Sequence, residues 1–348
     1  MRILDAAVGP FERVIWATDD DSGLRAIAAV HNTALGPALG GTRFYPYADE
    51  ASAVIDVLRL ADGMTLKSAA AGLDVGGGKA VIIGDPTQPK TDALLRAYAR
   101  VLDLFQGSFF TGEDVGTTVE DMERLREHTP HVLGVSERMG GGGDPSPFTA
   151  QGLVAAMRAA WEAETGRSSL AGAHIVIQGV GKVGAGVAER TASEGALVAV
   201  CDMAPGRGEA LAERLGVGLV PTDVALAMPC DILAPCAMGG VISRHTVPAL
   251  GCRWIVGAAN NQLTDDGVAD MLADRGIGYV PDFVANAGGV ISVAQERHGW
   301  ERGRVAAAVE GVGDTVRDLI EESRVEGETT LTCARRLAAE RIALARHG

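Results

Sequence analysis

Two lysines lie in a stretch made almost entirely of glycine, alanine and apolar residues, GMTLKSAAAGLDVGGGKAVI. Only four of the 31 basic residues in the chain are lysine, so Lys67 and Lys79 stand out in a sequence that otherwise uses arginine. A guanidinium is always charged, whereas a desolvated amine can lose its proton near neutral pH and act as a base. The pattern predicts functional lysines rather than surface cations, most strongly for Lys79, which follows three glycines.

A carboxylate and a glycine pair are embedded in similar sequence. They are Asp114 in FFTGEDVGTT and Gly40-Gly41 in PALGGTRFYP. Two lysines with a carboxylate suit amino acid oxidation, because one cation binds the substrate carboxylate and other groups exchange protons with the amine and with water. The glycine run before Lys79 is not a phosphate-binding P-loop, since that motif needs glycine at Leu73 and serine or threonine at Ala80.

The second half of the chain contains a dinucleotide-binding pattern. Strand HIVIQ runs into Gly179-Val180-Gly181-Lys182-Val183-Gly184, which opens a helix, and the next strand ends in Asp202. Such glycines permit a tight turn and close approach of backbone N–H groups to a pyrophosphate, and the carboxylate binds the adenosine ribose. Asp202 repels a 2′-phosphate and favours NAD over NADP, whereas Arg207 leaves some NADP use open.

The length of 348 residues predicts two domains. In the first half we expect a hairpin formed by ERVIWATDD and LRAIAAVHN, helices at 48–62 and 91–105, and strands at 79–83 and 108–111. The run MGGGGDPSPF, residues 139–148, has the glycine and proline content of an interdomain hinge, with a long surface loop as the alternative.

After this run, strands and helices alternate regularly. We expect a helix at 147–164, a strand at 174–178, a helix at 184–194 and a strand at 197–201, followed by short buried strands in DILAP, RWIVG and IGYVP. This alternation predicts a doubly wound α/β domain of the Rossmann type.

Composition and charge exclude several classes of partner. A net charge of −14 opposes binding to nucleic acid or to anionic membranes. The N-terminus has no apolar segment typical of a secretory signal, so we expect a cytoplasmic protein. Histidines are scattered without HxxxH or HExxH spacing, and we therefore predict no bound metal.

Several segments together resemble one enzyme family. They are GPALGGTRFYPY, the lysine stretch quoted above, TGEDVGTTVEDM, GDPSPFTAQG, DILAPCAMGGVI, GAANNQL and PDFVANAGGVI, in the family's order over about residues 36–293. The chain is similar to the leucine, valine and phenylalanine dehydrogenase branch of the glutamate dehydrogenase superfamily. The resemblance implies reversible oxidative deamination of an L-amino acid by NAD to a 2-oxo acid, ammonia and NADH.

The resemblance also implies roles for individual residues. Lys79 would activate water against the imine, Asp114 would relay protons to the amino group, and Lys67 would bind the substrate carboxylate. The remaining substrate-binding residues would be Gly40, Gly41, Asn261, Leu39, Met64, Gly112, Val290 and Val293. The cofactor-binding residues would be Gly179, Gly181, Lys182, Val183, Gly184, Asp202, Thr149, Cys236, Ala237, Asn260 and Asn286.

The family's organisation implies domain boundaries. Residues 1–143 would form the substrate and oligomerisation domain of a homo-oligomer, completed by a C-terminal helix at 328–348, and residues 144–327 would form the NAD-binding domain, which closes over the first.

Substrate choice is narrowed by two positions. Where glutamate dehydrogenases carry a lysine and a serine for the substrate side chain, this sequence has Leu39 and Val293. An apolar pair offers no partner for a buried carboxylate, so glutamate is excluded. The valines at 290 and 293 resemble the leucine and valine enzymes, whereas Gly112 resembles the phenylalanine enzymes, so an aromatic substrate stays an alternative to leucine, valine or isoleucine.

A protein of a different class is the remote alternative. A catalytically silent NAD-binding sensor or scaffold would have no chemical reason to keep Lys67, Lys79 and Asp114 together.

Overall fold

The computed structural model describes residues 1–347 and divides into two compact units. Unit 1 comprises Met1–Asp144, Ser292–Arg302 and the C-terminal residues from Leu337, and unit 2 comprises Pro145–Ile291 and Gly303–Arg336. The first boundary lies within the glycine and proline run.

The later boundaries differ from the sequence-based division. The return to unit 1 begins at Leu337 rather than at 328, and the segment Ser292–Arg302 also joins unit 1. These later boundaries lie within helices or at their ends, where the sequence has no loop-like composition that would indicate a boundary.

Unit 1 is built on a six-stranded mixed sheet. Its elements are β1 Arg2–Val8, β2 Phe11–Asp19, β3 Leu24–Asn32, β4 Ala38–Tyr45, α1 Glu50–Ala70, β5 Gly76–Ile83, α2 Asp92–Asp103, β6 Phe109–Glu113 and α3 Val119–Arg126. The strand order is β1-β2-β3-β5-β4-β6. The predicted hairpin is confirmed as the antiparallel pair β2–β3, whereas β5, β4 and β6 run parallel.

Strand β5 begins at Gly76, three residues before the predicted start at Lys79, and therefore includes the glycine run. These glycines allow other backbones to approach the strand closely. A Cβ at Gly77 would overlap Thr65 of α1, and one at Gly76 would overlap the carbonyl oxygen of Asn32 on β3. Helix α1 therefore packs directly on the strand that carries Lys79, and it continues to Ala70, eight residues beyond the predicted end.

Apolar clusters cover both faces of this sheet. One cluster joins residues of α1, including Ala53, Val57 and Ala61, to Val14 and Val81 of the strands. The other cluster packs residues of α2 and α3 against the opposite face. Burial on both faces fixes the strands that carry the candidate site.

Unit 2 has a six-stranded parallel sheet in the order β12-β11-β10-β7-β8-β9. Its elements are α4 Ser146–Thr165, β7 His174–Gln178, α5 Lys182–Ser193, β8 Leu197–Cys201, α6 Arg207–Leu215, β9 Gly218–Leu219, β10 Cys230–Pro235, β11 Cys252–Ile255, α7 Gly267–Asp274, β12 Gly278–Tyr279 and α8 Asp282–Ala285. Three further helices follow, α9 Gly288–Ala294, α10 Arg302–Glu326 and α11 Thr330–His347.

The predicted α/β fold with a doubly wound second domain is confirmed. Strands β7 and β8 have the predicted bounds, whereas α5 begins at Lys182, two residues before the predicted start. Within residues 1–347, no helix has the length and hydropathy needed to cross a membrane.

Candidate active site and dinucleotide site

Strand register places the candidate residues of unit 1 on one sheet face. Gly41 of β4 pairs with Gly112 of β6, and Thr42 pairs with Ala80, the residue after Lys79. Side chains alternate between the two faces of a strand, so Leu39, Gly41, Lys79 and Gly112 share a face. This is the face covered by α1, because Gly77, two residues before Lys79, meets α1.

Lys79 and Asp114 form a direct ion pair. The ammonium Nζ of Lys79 lies 2.8 Å from the carboxylate Oδ2 of Asp114. The Lys79 side chain is only 8% exposed, and that of Asp114 is 18% exposed. At this distance a proton can pass directly between the two groups. Of the residues proposed for chemistry, the structure therefore brings together the two assigned to catalysis.

Asp114 is held in its ionised form. Burial alone would raise the pKa of Asp114, but the charges of Lys79 and Arg43 hold that pKa below its ordinary value. The backbone N–H of Asp114 also donates to Thr117 Oγ1 at 2.8 Å, and Thr117 Oγ1 in turn donates to the carbonyl oxygen of Thr42 at 2.9 Å. The loop after β6 is thereby tied to β4.

Arg43 was not predicted from the sequence as a site residue. Its Nε lies 3.2 Å from Asp114 Oδ2, and its Nη1 donates to Asp56 Oδ2 of α1 at 2.8 Å. Tyr47 donates its hydroxyl to the same Asp56 oxygen at 2.5 Å. One feature of the sequence could have identified it. Arg43 follows Gly41 by two residues on the same strand, so its side chain points to the same sheet face.

The glycine pair of β4 leaves room for the neighbouring backbones. A Cβ at Gly40 would overlap the carbonyl oxygen of Gly78 on β5, and a Cβ at Gly41 would lie 2.8 Å from the Asp114 Cβ. Any larger residue at Gly41 would displace Asp114. These glycines are therefore required by packing, in addition to the substrate contact proposed for them.

An apolar wall formed by Leu39, Gly112 and Val293 adjoins the Lys79–Asp114 ion pair. Leu39 is 2% exposed, and a Cβ at Gly112 would lie 3.9 Å from Cγ1 of Val293 and 3.5 Å from the carbonyl oxygen of Leu133. Both are ordinary van der Waals distances, so Gly112 faces Val293 across a gap that a methyl group would fill. Met64 is half-buried on α1.

Lys67 lies in the last turn of α1 and is half-buried. The C-terminal segment supports this end of the helix, because Arg341 Nη1 donates to the carbonyl oxygens of Ala69 and Ala70, both at 2.8 Å. The last carbonyls of a helix lack the regular i+4 donor, and a cation there also interacts favourably with the helix dipole.

The two remaining substrate-binding candidates belong to unit 2. Asn261 has a φ of 52°, a left-handed conformation that asparagine tolerates better than most residues, and its carbonyl oxygen accepts the N–H of Gly240 at 2.7 Å. Val290 lies in α9 and is half-buried.

In unit 2, the glycine loop has the backbone geometry of a phosphate cradle. Gly179 has a φ of 91°, and a Cβ there would lie 2.5 Å from that of Ala237. A Cβ at Gly184 would overlap the carbonyl oxygen of Gly179, whereas one at Gly181 would meet nothing within 4 Å. Gly181 is the N-cap of α5 and makes no side-chain cap, so no capping side chain blocks the approach of an anion to the start of the helix.

Asp202 is positioned at the end of β8 by backbone donors. Its Oδ2 accepts the N–H of Val180 and its Oδ1 accepts that of Ala204, both at 2.8 Å. Burial alone would raise the pKa of Asp202, but these donors keep it below its ordinary value. Each carboxylate oxygen keeps a second lone pair for a ribose hydroxyl. The exposed Arg207 lies 3.7 Å from Asp202 Oδ2.

Several other cofactor-binding candidates follow the carboxyl ends of strands in the parallel sheet. Asn286 Nδ2 donates to Asn260 Oδ1 at 2.9 Å, while the buried Oδ1 of Asn286 has no hydrogen-bond partner. A buried unpaired acceptor is costly, which suits a site that a ligand donor completes. Lys182 and Ala237 are exposed, and Thr149, Val183 and Cys236 are half-buried.

These residues fit NAD. The open N-terminus of α5 suits its pyrophosphate, Asp202 suits its ribose hydroxyls, and the unpaired oxygen of Asn286 suits an amide donor. Within residues 1–347, no three His, Cys, Asp or Glu side chains cluster as a metal ion would require.

We expect the protein to use NAD far better than NADP. The Asp202 carboxylate would lie against a 2′-phosphate, and like charges in contact cost several kcal/mol, so kcat/KM should favour NAD by about 100-fold or more. The measurement is kcat/KM with each cofactor at a saturating amino acid concentration. In the control variant Arg207→Ala, the residual NADP activity should fall further. Equal use of the two cofactors by the unmodified protein would contradict the assignment of Asp202.

Comparison with known proteins identifies the family. Residues 11–131 match the Glu/Leu/Phe/Val dehydrogenase dimerisation domain, and residues 209–348 match the Glutamate/Leucine/Phenylalanine/Valine dehydrogenase domain. A leucine dehydrogenase of Bacillus cereus is 45% identical, covering 96% of this chain and 91% of the relative. A valine dehydrogenase of Streptomyces coelicolor is 46% identical over 97% of this chain and 94% of the relative.

A solved structure agrees with these sequence matches. The L-tryptophan dehydrogenase of Nostoc punctiforme has a TM-score of 0.84 and 37% identity, with 97% of each chain covered. With the ion pair and the glycine loop described above, these matches show that the chain belongs to the glutamate, leucine, phenylalanine and valine dehydrogenase family and is an NAD-dependent amino acid dehydrogenase.

Proposed function

We propose that this enzyme oxidatively deaminates branched-chain aliphatic L-amino acids, leucine, valine and isoleucine, to 2-oxo acids, and that the reaction is reversible. The observation that carries the proposal is the Lys79–Asp114 ion pair on the same sheet face as the apolar residues Leu39 and Gly112. A charged pair beside an apolar wall suits a substrate with a polar α-carbon and a hydrocarbon side chain.

In the proposed mechanism, Lys67 binds the substrate carboxylate, helped by the backbone at Gly40–Gly41 and by Asn261. Asp114, held ionised by its two cationic neighbours, accepts a proton from the amino group. Bound NAD supplies the hydride acceptor for the α-carbon.

Lys79 has its role in the second half of the reaction. Its neutral amine takes a proton from water as the water oxygen attacks the imine carbon, which gives a carbinolamine. Asp114, 2.8 Å from the Lys79 amine, returns its proton to the carbinolamine nitrogen. As the C–N bond breaks and ammonia leaves, the hydroxyl proton passes to the Asp114 carboxylate and the carbonyl of the 2-oxo acid forms. The site therefore needs both groups, because water must lose a proton while the leaving nitrogen gains one.

The preference for an apolar substrate side chain follows from the absence of polar groups in the apolar wall. Leu39 and Val293 offer neither charge nor hydrogen bond to a side-chain carboxylate, and burying an unpaired carboxylate costs several kcal/mol. Glutamate is thereby disfavoured. The relatives named leucine and valine dehydrogenases support an aliphatic substrate.

An aromatic substrate is the second candidate, favoured by the space at Gly112. The structural similarity to an L-tryptophan dehydrogenase and the 42% identity to a phenylalanine dehydrogenase of Lysinibacillus sphaericus support it. A higher kcat/KM for valine or leucine than for the aromatic amino acids would favour the first candidate. A higher kcat/KM for phenylalanine or tryptophan would favour the second.

The variant Gly112→Ala separates these possibilities. Because the added methyl meets only ordinary contacts, the fold should tolerate it, and the methyl should narrow the gap toward Val293. If the pocket admits large side chains, kcat/KM for L-Phe and L-Trp should fall about 10- to 100-fold and that for L-Val about threefold or less. The measurement is NADH formation at alkaline pH with L-Val, L-Leu, L-Phe, L-Trp and L-Glu. A uniform loss would instead assign Gly112 to the backbone geometry near Asp114.

We further propose that the enzyme is a homo-oligomer assembled through unit 1, because the family domain matched by residues 11–131 is described as a dimerisation domain. A cytoplasmic location stays a prediction.

A further inference from the structure

Arg43 binds the same carboxylate oxygen as the proposed catalytic lysine. Asp114 Oδ2 lies 2.8 Å from Lys79 Nζ and 3.2 Å from Arg43 Nε. One oxygen therefore serves two cations that come from the neighbouring strands β4 and β5. A carboxylate held by two donors has little freedom to rotate, and its charge is shared between them.

Arg43 is itself fixed from the other side. Its Nη1 donates to Asp56 Oδ2 of α1, and Tyr47 donates to that same oxygen. The three side chains of Arg43, Asp56 and Asp114 are largely buried, with exposed fractions of 21%, 17% and 18%. Burial alone would lower the pKa of Arg43, but Asp114 and Asp56 raise it, so the guanidinium remains charged.

We propose that Arg43 is a positioning residue for the deamination reaction: it orients the Asp114 carboxylate and takes up part of the negative charge that would otherwise act on Lys79 alone. The proposal rests on the proposed roles of Asp114 and Lys79. It adds a chain of contacts, from Tyr47 through Asp56 and Arg43 to Asp114, that links helix α1 to the reacting groups.

The charge of Arg43 predicts the direction in which the pH dependence of turnover should change. Asp114 must be ionised to accept a proton from the substrate amino group, and Arg43, together with Lys79, holds the pKa of that carboxyl below its ordinary value. The charged groups that contact Asp114 are Lys79 from β5 and Arg43 from β4. Arg43 in turn contacts Asp56 of α1, whose other partners are Arg59 and the hydroxyl of Tyr47.

Removing the guanidinium charge should therefore move the deprotonation of Asp114 to higher pH. In Arg43→Gln, we expect the acidic limb of the kcat–pH profile to move upward, because Asp114 has lost one of the two cations that favour its ionised form. We also expect kcat at the new optimum to fall about 10-fold or more, because Asp114 loses its second donor.

The variant Arg43→Lys distinguishes the effect of the positive charge at position 43 from its effect on the orientation of the Asp114 carboxylate. A lysine keeps the positive charge but cannot reproduce the planar fork that binds Asp56 and Asp114 together. The acidic limb should therefore stay within about 0.3 pH unit of its original position while kcat still falls several-fold. A change confined to folding would lower the amount of active enzyme without moving the limb.

Lys90→Gln is the matched control, because Lys90 also forms a buried ion pair in unit 1, 2.9 Å from Asp121 and with a side chain 10% exposed. It should lower thermal stability without shifting the pH profile. The proposal is overturned if Arg43→Gln keeps the original acidic limb, or, should that variant fail to fold, if Arg43→Lys keeps the full kcat. Lys79→Ala is measured in parallel, since near-normal turnover there would instead refute the proposed function.

Discussion

Replacing Lys79 by alanine should lower kcat by about 10²- to 10⁴-fold, the usual effect of losing an acid–base group. The side chain is 8% exposed and its ammonium pairs with Asp114, so solvent cannot easily substitute for it. NADH affinity should change little, because the glycine loop and Asp202 belong to unit 2 whereas Lys79 belongs to unit 1. The measurement pairs turnover with NADH affinity determined by fluorescence titration.

Lys90→Ala provides the control for this variant. Lys90 is also a largely buried lysine in an ion pair of unit 1, but it has no proposed role in catalysis. Its loss should reduce stability and leave kcat close to that of the unmodified enzyme. If Lys79→Ala retained near-normal kcat, another group would have to activate the water.

The double variant Leu39→Lys with Val293→Ser should lose activity on leucine by about 100-fold or more in kcat/KM. Each change places a polar group where a hydrocarbon must be desolvated, and each is worth about 1 to 3 kcal/mol in an apolar pocket. The same variant provides a cation and a hydroxyl for a side-chain carboxylate, so measurable activity on L-Glu should appear. The measurement is kcat/KM for L-Leu and L-Glu.

Two single variants separate polarity from shape. Val293→Ala removes hydrocarbon without adding a polar group and should cost about 10-fold or less for leucine without admitting glutamate. Leu39→Met keeps an apolar side chain of similar volume at a position that is 2% exposed and should be nearly neutral. Full leucine activity in the double variant would show that these two positions do not contact the substrate side chain.

Much of the site was predictable because the chemistry constrains local sequence. A GxGxxG between a strand and a helix, with an aspartate ending the next strand, predicted the dinucleotide loop, and in the structure Asp202 accepts the N–H of Val180 within that loop. The choice of lysine at positions 67 and 79, in a chain that otherwise uses arginine, marked the two cations of unit 1 to which we propose functional roles. These patterns depend on neighbours in the chain, so they can be recognised without the fold.

Arg43 was missed for the opposite reason. In sequence it is one of many arginines, and nothing nearby in the chain distinguishes it. Its importance comes from β4 lying between β5 and β6, which places its side chain within reach of Asp114, seventy-one residues later, and of Asp56 on α1. The role of the glycines before Lys79 was likewise decided by the packing of α1 and β3 on β5.

The sequence by itself determined the α/β class, the hairpin, the first two strands of unit 2 and the residue types available for chemistry, because periodicity and turn residues act over short distances. Only the tertiary structure decided that Lys79 and Asp114 form a pair, that Gly112 faces Val293, and that the chain returns to unit 1 at Ser292 and again at Leu337. These contacts join distant parts of the chain, and they form because strand register and the burial of apolar faces leave few other arrangements.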